Sequence, residues 1–275
     1  MSYLLFDALF LGLPVALLLR RAGRPPGRLL VACGVLAVTA LLWTAPWDEY
    51  LVRSGVWSYG TDRVILLVGS VPAEEYAFVI LEVLLVAAWG HRLGLFSAVP
   101  APAGRRWRGA AVWLVVFAVG AGLVLAGGSL RYLGLLLVWA APPLALQRAV
   151  AGDLLRARLA DRLALVLPVA AWLCVADRLA LAEGVWAIAP ASSTGWLLLG
   201  LPVEEALFFL LTSLLVADGL VLATDPRAPA RVARLLARLT RSALIRQARQ
   251  KYDTPANRTR VREAFGGRSG VGRAR

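Results

Sequence analysis

Apolar runs approaching the roughly 20 residues needed to cross a bilayer core recur along this chain, and they limit its fold more than anything else in it. They fall at about 3–19, 29–47, 63–89, 109–126, 131–147, 162–180 and 195–222. Backbone polar groups in lipid must pair internally, so spans of this length predict helices. The ten-residue alternation of a membrane β-barrel is missing from the sequence. Hydrophobic residues make up 59% of the 275, above the usage of a soluble domain. The expected fold is all-α: a polytopic membrane protein of about seven transmembrane helices. The third and seventh runs are long enough to tilt or to extend past the membrane.

Charge placement sets the expected orientation. Arg20, Arg21, Arg24 and Arg28 follow the first run. Arg92, Arg105, Arg106 and Arg108 follow the third, and Arg148, Arg156, Arg158 and Arg162 follow the fifth. The alternate connections carry few cations. By the positive-inside rule the N-terminus is expected outside the cell membrane and the C-terminus in the cytoplasm. The formal charge of +13 is concentrated in the tail, where the residues from Asp225 onward include fourteen basic and three acidic side chains. Within it Val232, Leu235, Leu236, Leu239, Ala243 and Leu244 recur at helical spacing among Arg231, Arg234, Arg238 and Arg241. That pattern suits an amphipathic helix on anionic lipid. Nucleic-acid binding is the sharper alternative, but a basic tail on a membrane protein is more often a lipid contact, so no nucleic acid is expected. After Asp253 the composition reads as disordered. Cys33 and Cys174 fall inside spans and imply no disulfide framework.

The chain also repeats itself. Tyr3, Pro14, Gly23, Trp43 and Asp48 match Tyr132, Pro143, Gly152, Trp172 and Asp177, each 129 residues on. Gly55-Val56-Trp57 matches Gly184-Val185-Trp186 at the same offset. One inserted residue later, VPAEEYAFVILEVLLVA from Val71 aligns with LPVEEALFFLLTSLLVA from Leu201. Each unit is then three helices, with the run at 109–126 as a connector. An odd connector sets two units in the same orientation, as in parallel-repeat transporters, about an axis along the membrane normal. Residues that recur in both units are the first candidates for a site at their interface.

Glu74, Glu75, Glu82, Glu204 and Glu205 are the acids set deepest in apolar sequence. A charge in the bilayer costs roughly 2.5–3.5 kcal/mol or more, so such residues are rarely idle. The alternative is a pair that snorkels to the interface or pairs with an arginine such as Arg63. Counting from the start of each run puts Glu74 eleven and Glu204 nine residues inside, near mid-membrane. Four glutamates in two like pairs can supply a general acid and a general base in an apolar cavity. Pro72 and Pro202 precede the pairs by two residues and would kink a helix there, opening a pocket.

Matched aromatic residues form the other half of the pattern. Trp43, Trp57, Phe78, Trp172, Trp186 and Phe208 all recur, and ring faces stabilise cations. For Trp57 and Trp186 an interfacial belt is the more ordinary reading. Phe78 and Phe208, one turn beyond the glutamates, are candidates for a cavity wall. Asp48 and Asp177 fit N-caps, loop polar groups or supports for a glutamate. No Gly-x-Gly-x-x-Gly follows a strand, which speaks against a nucleotide cofactor. The single lysine, Lys251, lies in the tail, so a retinal Schiff base has no partner. An aspartate-rich diphosphate motif is lacking, and the cysteines and histidine offer no metal set.

With these residues in view, the sequence resembles the lycopene cyclases of the heterodimeric type, whose two small membrane subunits each carry a Pro-x-Glu-Glu motif. Pro72-Ala73-Glu74-Glu75 and Pro202-Val203-Glu204-Glu205 match it, as though both subunits were fused in one chain. The resemblance covers about 1–224 and divides the chain into a first unit at 1–92, a connector at 93–129, a second unit at 130–224 and a basic tail at 225–275. It implies a redox-neutral cyclisation of a carotenoid's linear end groups, with no cofactor and no metal. Glu74, Glu75, Glu204 and Glu205 would be catalytic. Pro72, Phe78, Glu82, Pro202, Phe208, Trp43, Trp172, Asp48 and Asp177 would contact or shape the hydrophobic carotenoid. Other carotenoid-synthesis enzymes are the implied neighbours. The rival readings are a small-molecule or proton-coupled transporter, which would share the midplane acids, and a non-catalytic scaffold in a pigment-synthesis complex.

Overall fold

The computed structural model describes residues 1–96, 107–235 and four positions beyond them, 237, 240, 241 and 247. Seven helices of twenty residues or more organise these. They are α1 (Tyr3–Ala22), α2 (Gly27–Arg53), α3 (Ala73–Arg92), α4 (Trp107–Ala126), α5 (Arg131–Ala157), α6 (Leu159–Ala182) and α7 (Val203–Thr224). Among the described residues six helices are long and apolar enough to cross a membrane. The seventh, α3, carries Glu74, Glu75 and Glu82 within its twenty residues. The protein is an all-α polytopic membrane protein.

The helices differ in how much of themselves they bury. In α7, 61% of the apolar window is buried, against 11% in α4, so α7 is central and α4 peripheral. The connector α4 lies along α5 where Gly120 faces Gly134. A Cβ on Gly120 would meet Leu137 at 2.7 Å, and one on Gly134 would meet the Val124 backbone at 2.7 Å. Small residues of this kind let membrane helices approach backbone to backbone. Pro46, Pro142, Pro143 and Pro168 all sit inside helices. In α1 the turn Ala8–Gly12 widens to π geometry directly after Asp7, a local form that is frequent at functional sites.

Among the described residues there are also six short strands: β1 (Trp57–Tyr59), β2 (Leu67–Val68), β3 (Val71–Pro72), β4 (Trp186–Ile188), β5 (Leu197–Leu198) and β6 (Leu201–Pro202). They correct two expectations. The runs at 63–89 and 195–222 are not helical throughout, because each opens with a hairpin, β2–β3 or β5–β6, and the helix begins only at Ala73 or Val203. Gly69 (φ +71°) and Gly200 (φ +81°) permit the two-residue turns. Pro72 and Pro202 hold extended backbone as N-cap residues, with ψ of 145° and 136°. A proline disfavours helix in the residue before it, so each helix starts after its proline instead of kinking at it. Glu74 and Glu204 therefore lie in the first turn of α3 and α7, not nine to eleven residues along a span.

The register of β1 on β4 carries the repeat into three dimensions. The strands run antiparallel, with Trp57 opposite Ile188, Ser58 opposite Ala187 and Tyr59 opposite Trp186. Because Trp57 matches Trp186 in sequence, this pairing is self-complementary about a point between Ser58 and Ala187. The flanking bonds repeat the same contact: the Gly60 N–H donates to the Val185 carbonyl (3.0 Å) and the Ala189 N–H to the Val56 carbonyl (2.9 Å). Isologous contacts of this form belong to twofold symmetry.

Met1–Ala228 form one compact unit, and the chain from Pro229 onward is a second. Residues 228–235 are helical. Part of the expected amphipathic stretch, including Leu236, Arg238, Leu239, Ala243 and Leu244, and the segment after Asp253 lie outside the described residues.

Candidate active site

Each Pro-x-Glu-Glu motif places two carboxyl groups in the first turn of a buried helix. Adjacent residues on a helix point about 100° apart, and the two acids of each pair do different things. The first turns back to the segment that leads into its hairpin. The Ile65 N–H donates to Glu74 Oε1 (2.7 Å), and the Thr194 N–H donates to Glu204 Oε1 (2.6 Å). The second turns inward. Glu75 Oε2 accepts from the Tyr3 hydroxyl (2.7 Å) and the Tyr59 hydroxyl (2.9 Å), while Glu205 Oε1 accepts from the Tyr132 hydroxyl (2.5 Å). All four glutamates are buried, and a buried carboxyl group is costly unless hydrogen-bonded. Burial and the Glu75 carboxyl push the Tyr59 phenol well above its ordinary range, so it remains a donor.

Glu75 and Glu205 line one central chamber with Phe78, Phe208, Phe209 and Asp177. Its free volume is about 30 Å³. Trp57 and Trp186 also line it, which corrects the interfacial-belt reading. The Trp186 ring lies 4.9 Å from both Tyr3, tilted, and Phe6, edge to face, and its indole N–H donates to Asp177 Oδ1 (2.7 Å). Asp48 and Asp177 lie inside α2 and α6, so neither is an N-cap or a loop residue. Asp177 faces the chamber beside Glu205, whereas Asp48 is buried outside it with one oxygen unpartnered.

A cleft of about 110 Å³ adjoins the chamber and shares Glu75, Phe78 and Phe208 with it. Trp43, Glu82 and Trp139 form part of its wall, and the Trp43 indole donates to the Trp139 carbonyl (3.2 Å). Trp172 is separate. It lines a different cavity and donates to the Phe10 carbonyl (2.7 Å), the matched counterpart of the Trp43 bond. Pro72 and Pro202 line none of these spaces and act only at the helix starts. The structure thus gathers Glu75, Glu205, Phe78, Phe208 and Asp177, with Trp43 and Glu82 adjoining. It leaves Trp172 and the prolines apart, and it holds Asp48 near Glu75 but outside the chamber lining.

Sequence reasoning missed the phenols as site residues. Tyr3 and Tyr132 had already been matched across the repeat, and a hydroxyl recurring in apolar sequence was the available signal. Asp7 was missed as well. It is buried one turn after Tyr3, and neither carboxyl oxygen has a hydrogen-bond partner. A lone acid within the first apolar run was its only mark.

Fold and site together define a polytopic membrane protein whose paired carboxyl groups meet in an aromatic chamber. The chain belongs to the lycopene cyclase family: the family model described as "Lycopene cyclase" matches residues 1–92 and 131–218. A lycopene beta-cyclase of Halobacterium salinarum is 41% identical over 225 residues, covering 80% of this chain and 95% of the relative. A bifunctional lycopene cyclase/phytoene synthase of Podospora anserina is 35% identical over 202 residues, covering 68% of this chain and 34% of that protein. No solved structure matches the chain.

Proposed function

We propose that the chain cyclises the linear end groups of lycopene to β-rings, with Glu205 and Glu75 as acid and base. The observation that carries this reading is the meeting of Glu75 and Glu205, from matched motifs, in one aromatic chamber. Family membership and the 41% identical β-cyclase support the substrate and the ring type.

The step needs no redox partner. An acid adds a proton to the terminal double bond of the end group and leaves a tertiary cation. The electron pair of the neighbouring double bond closes a six-membered ring and moves the positive charge onto it. A base then removes a ring proton and the ring double bond forms, so one proton enters and one leaves. Glu75 already accepts two phenolic hydrogens on one oxygen and suits the base; Glu205 has one such donor and the Asp177 carboxyl beside it, and suits the acid. The faces of Phe78, Phe208, Trp57 and Trp186 stabilise the cation, and their packing excludes the water that would trap it as an alcohol. Glu74 and Glu204 hold the hairpins and take no part in proton transfer.

The N-terminus faces outward on this reading. The arginine-rich connections then lie at the cytoplasmic ends of the helices and the glutamate chamber in the outer half of the membrane. Product analysis in a lycopene-accumulating host tests the activity. A β-ringed product from the parent chain is expected, and unchanged lycopene from a chain that inserts would overturn the reading.

A further inference from the structure

Two grooves flank the chamber at matched positions. Thr39, Ala40 and Gln147 line the one between α2 and α5, and their counterparts Pro168, Val169 and Leu18 line the one between α1 and α6. The grooves look alike at the rim and end differently. The first runs along α3 from Val83 back to Glu75, about 12 Å at 1.5 Å per residue. There it shares Glu75, Phe78 and Phe208 with the chamber. The second is the larger void, at about 320 Å³, yet none of its lining residues belongs to the chamber. Trp89 stands in it, held by an indole N–H bond to the Ala164 carbonyl (2.8 Å). The matched position on α7 is Gly219, which has no side chain.

We propose that a linear apolar end group reaches Glu75 only through the first groove, sideways from the lipid between α2 and α5, and that the second groove is not a catalytic route. The inference rests on the cyclase reading and adds the path and its side. A long apolar chain is dissolved in the bilayer, so a lateral mouth meets it where it resides. The mouth of the first groove is suited to this, with Trp43 and Thr39 exposed on the lipid-facing surface of α2. One route also means one end group per visit. A substrate with two reactive ends must leave and return reversed, so a singly cyclised product is released before the doubly cyclised one.

The matched rims supply the test. Thr39→Trp and Ala40→Phe obstruct the first groove, and Pro168→Trp adds the same bulk to the second. Ring formation from lycopene in micelles is expected to fall at least ~10-fold in the first two and to change less than ~2-fold in the third. Full activity of both first-groove variants, or an equal loss in all three, would overturn the single route. A second measurement covers variants that disturb folding. In a Glu75→Gln, Glu205→Gln background the substrate persists, and lycopene retained by the purified protein is read by its visible absorbance. Added Ala40→Phe is expected to abolish retention and added Pro168→Trp to preserve it; the reverse order would refute the path. A parent chain that leaves lycopene unconverted would overturn the cyclase reading alone, because the retention assay still reports on the groove.

Discussion

The two Pro-x-Glu-Glu junctions, at the starts of α3 and α7, share a frame and differ in its surroundings. In both, a proline ends a hairpin, the first glutamate binds an N–H in the segment leading into that hairpin, and the second meets a tyrosine two helices earlier in the chain. The first junction has an additional phenol, because Tyr59 reaches Glu75 where the matched residue is Ile188. It has Asp7 nearby, where the second unit has Leu136. Its hairpin is tied to Glu49, which accepts the Ser70 N–H (2.8 Å) and hydroxyl (3.1 Å); at the second hairpin the matched residue, Arg178, lies against Gly200. Repetition supplied the same geometry twice, and single substitutions then made the halves unequal. An acid and a base must differ in just this way, since two identical carboxyl groups have no preferred direction for a proton.

The largest effect should come from the inward glutamates. Glu75→Gln or Glu205→Gln keeps the shape but cannot exchange the proton, so ring formation should fall by ~100-fold or more. Quantifying ringed product against immunoblotted protein level checks this. A double variant at the parent rate would remove both from the chemistry.

The outward glutamates should separate by substitution type. Glu74→Gln keeps a carbonyl oxygen for the Ile65 N–H and should retain most activity. Glu74→Ala removes the acceptor of this part-buried bond, worth about 1 kcal/mol, so both the thermal midpoint and the rate should drop. Equal loss in both variants would mean that the Glu74 carboxyl itself exchanges protons, and the assigned division of roles would be wrong.

A smaller effect is expected at the phenol that distinguishes the halves. Tyr59→Phe removes one of two donors to Glu75, worth about 1 kcal/mol, and should lower the rate about fivefold. Tyr132→Phe leaves Glu205 with no phenol and should cost more. The reverse ranking of the two rates would break the assignment of Glu75 as base.

The smallest change belongs to the tail. Truncation after Ala228, where the compact unit ends, should alter ring formation in micelles by less than ~2-fold. Binding of the truncated protein to anionic vesicles should weaken through the lost basic charge. Loss of all activity from a truncated protein that still inserts would show that the tail closes or gates the site.

The sequence by itself determined the helical membrane class, the internal repeat, the paired motif and the family, because each is written along one dimension. Apolar run length reports bilayer thickness, and residues at a constant offset report duplication, without any knowledge of packing. Hydropathy could not distinguish an apolar hairpin from an apolar helix, so the starts at Ala73 and Val203 and the true position of the prolines appeared only in the fold. Packing of α1 against the start of α3 brings Tyr3 to Glu75 across seventy-two residues, and the same packing in the second unit brings Tyr132 to Glu205 across seventy-three. The β1–β4 pairing turned Trp57 and Trp186 inward to the chamber. Which groove opens onto Glu75 was likewise decided in three dimensions. It depends on which side chains fill the space between helices, and one indole or one glycine at matched positions changes that space without disturbing the periodicity of the chain.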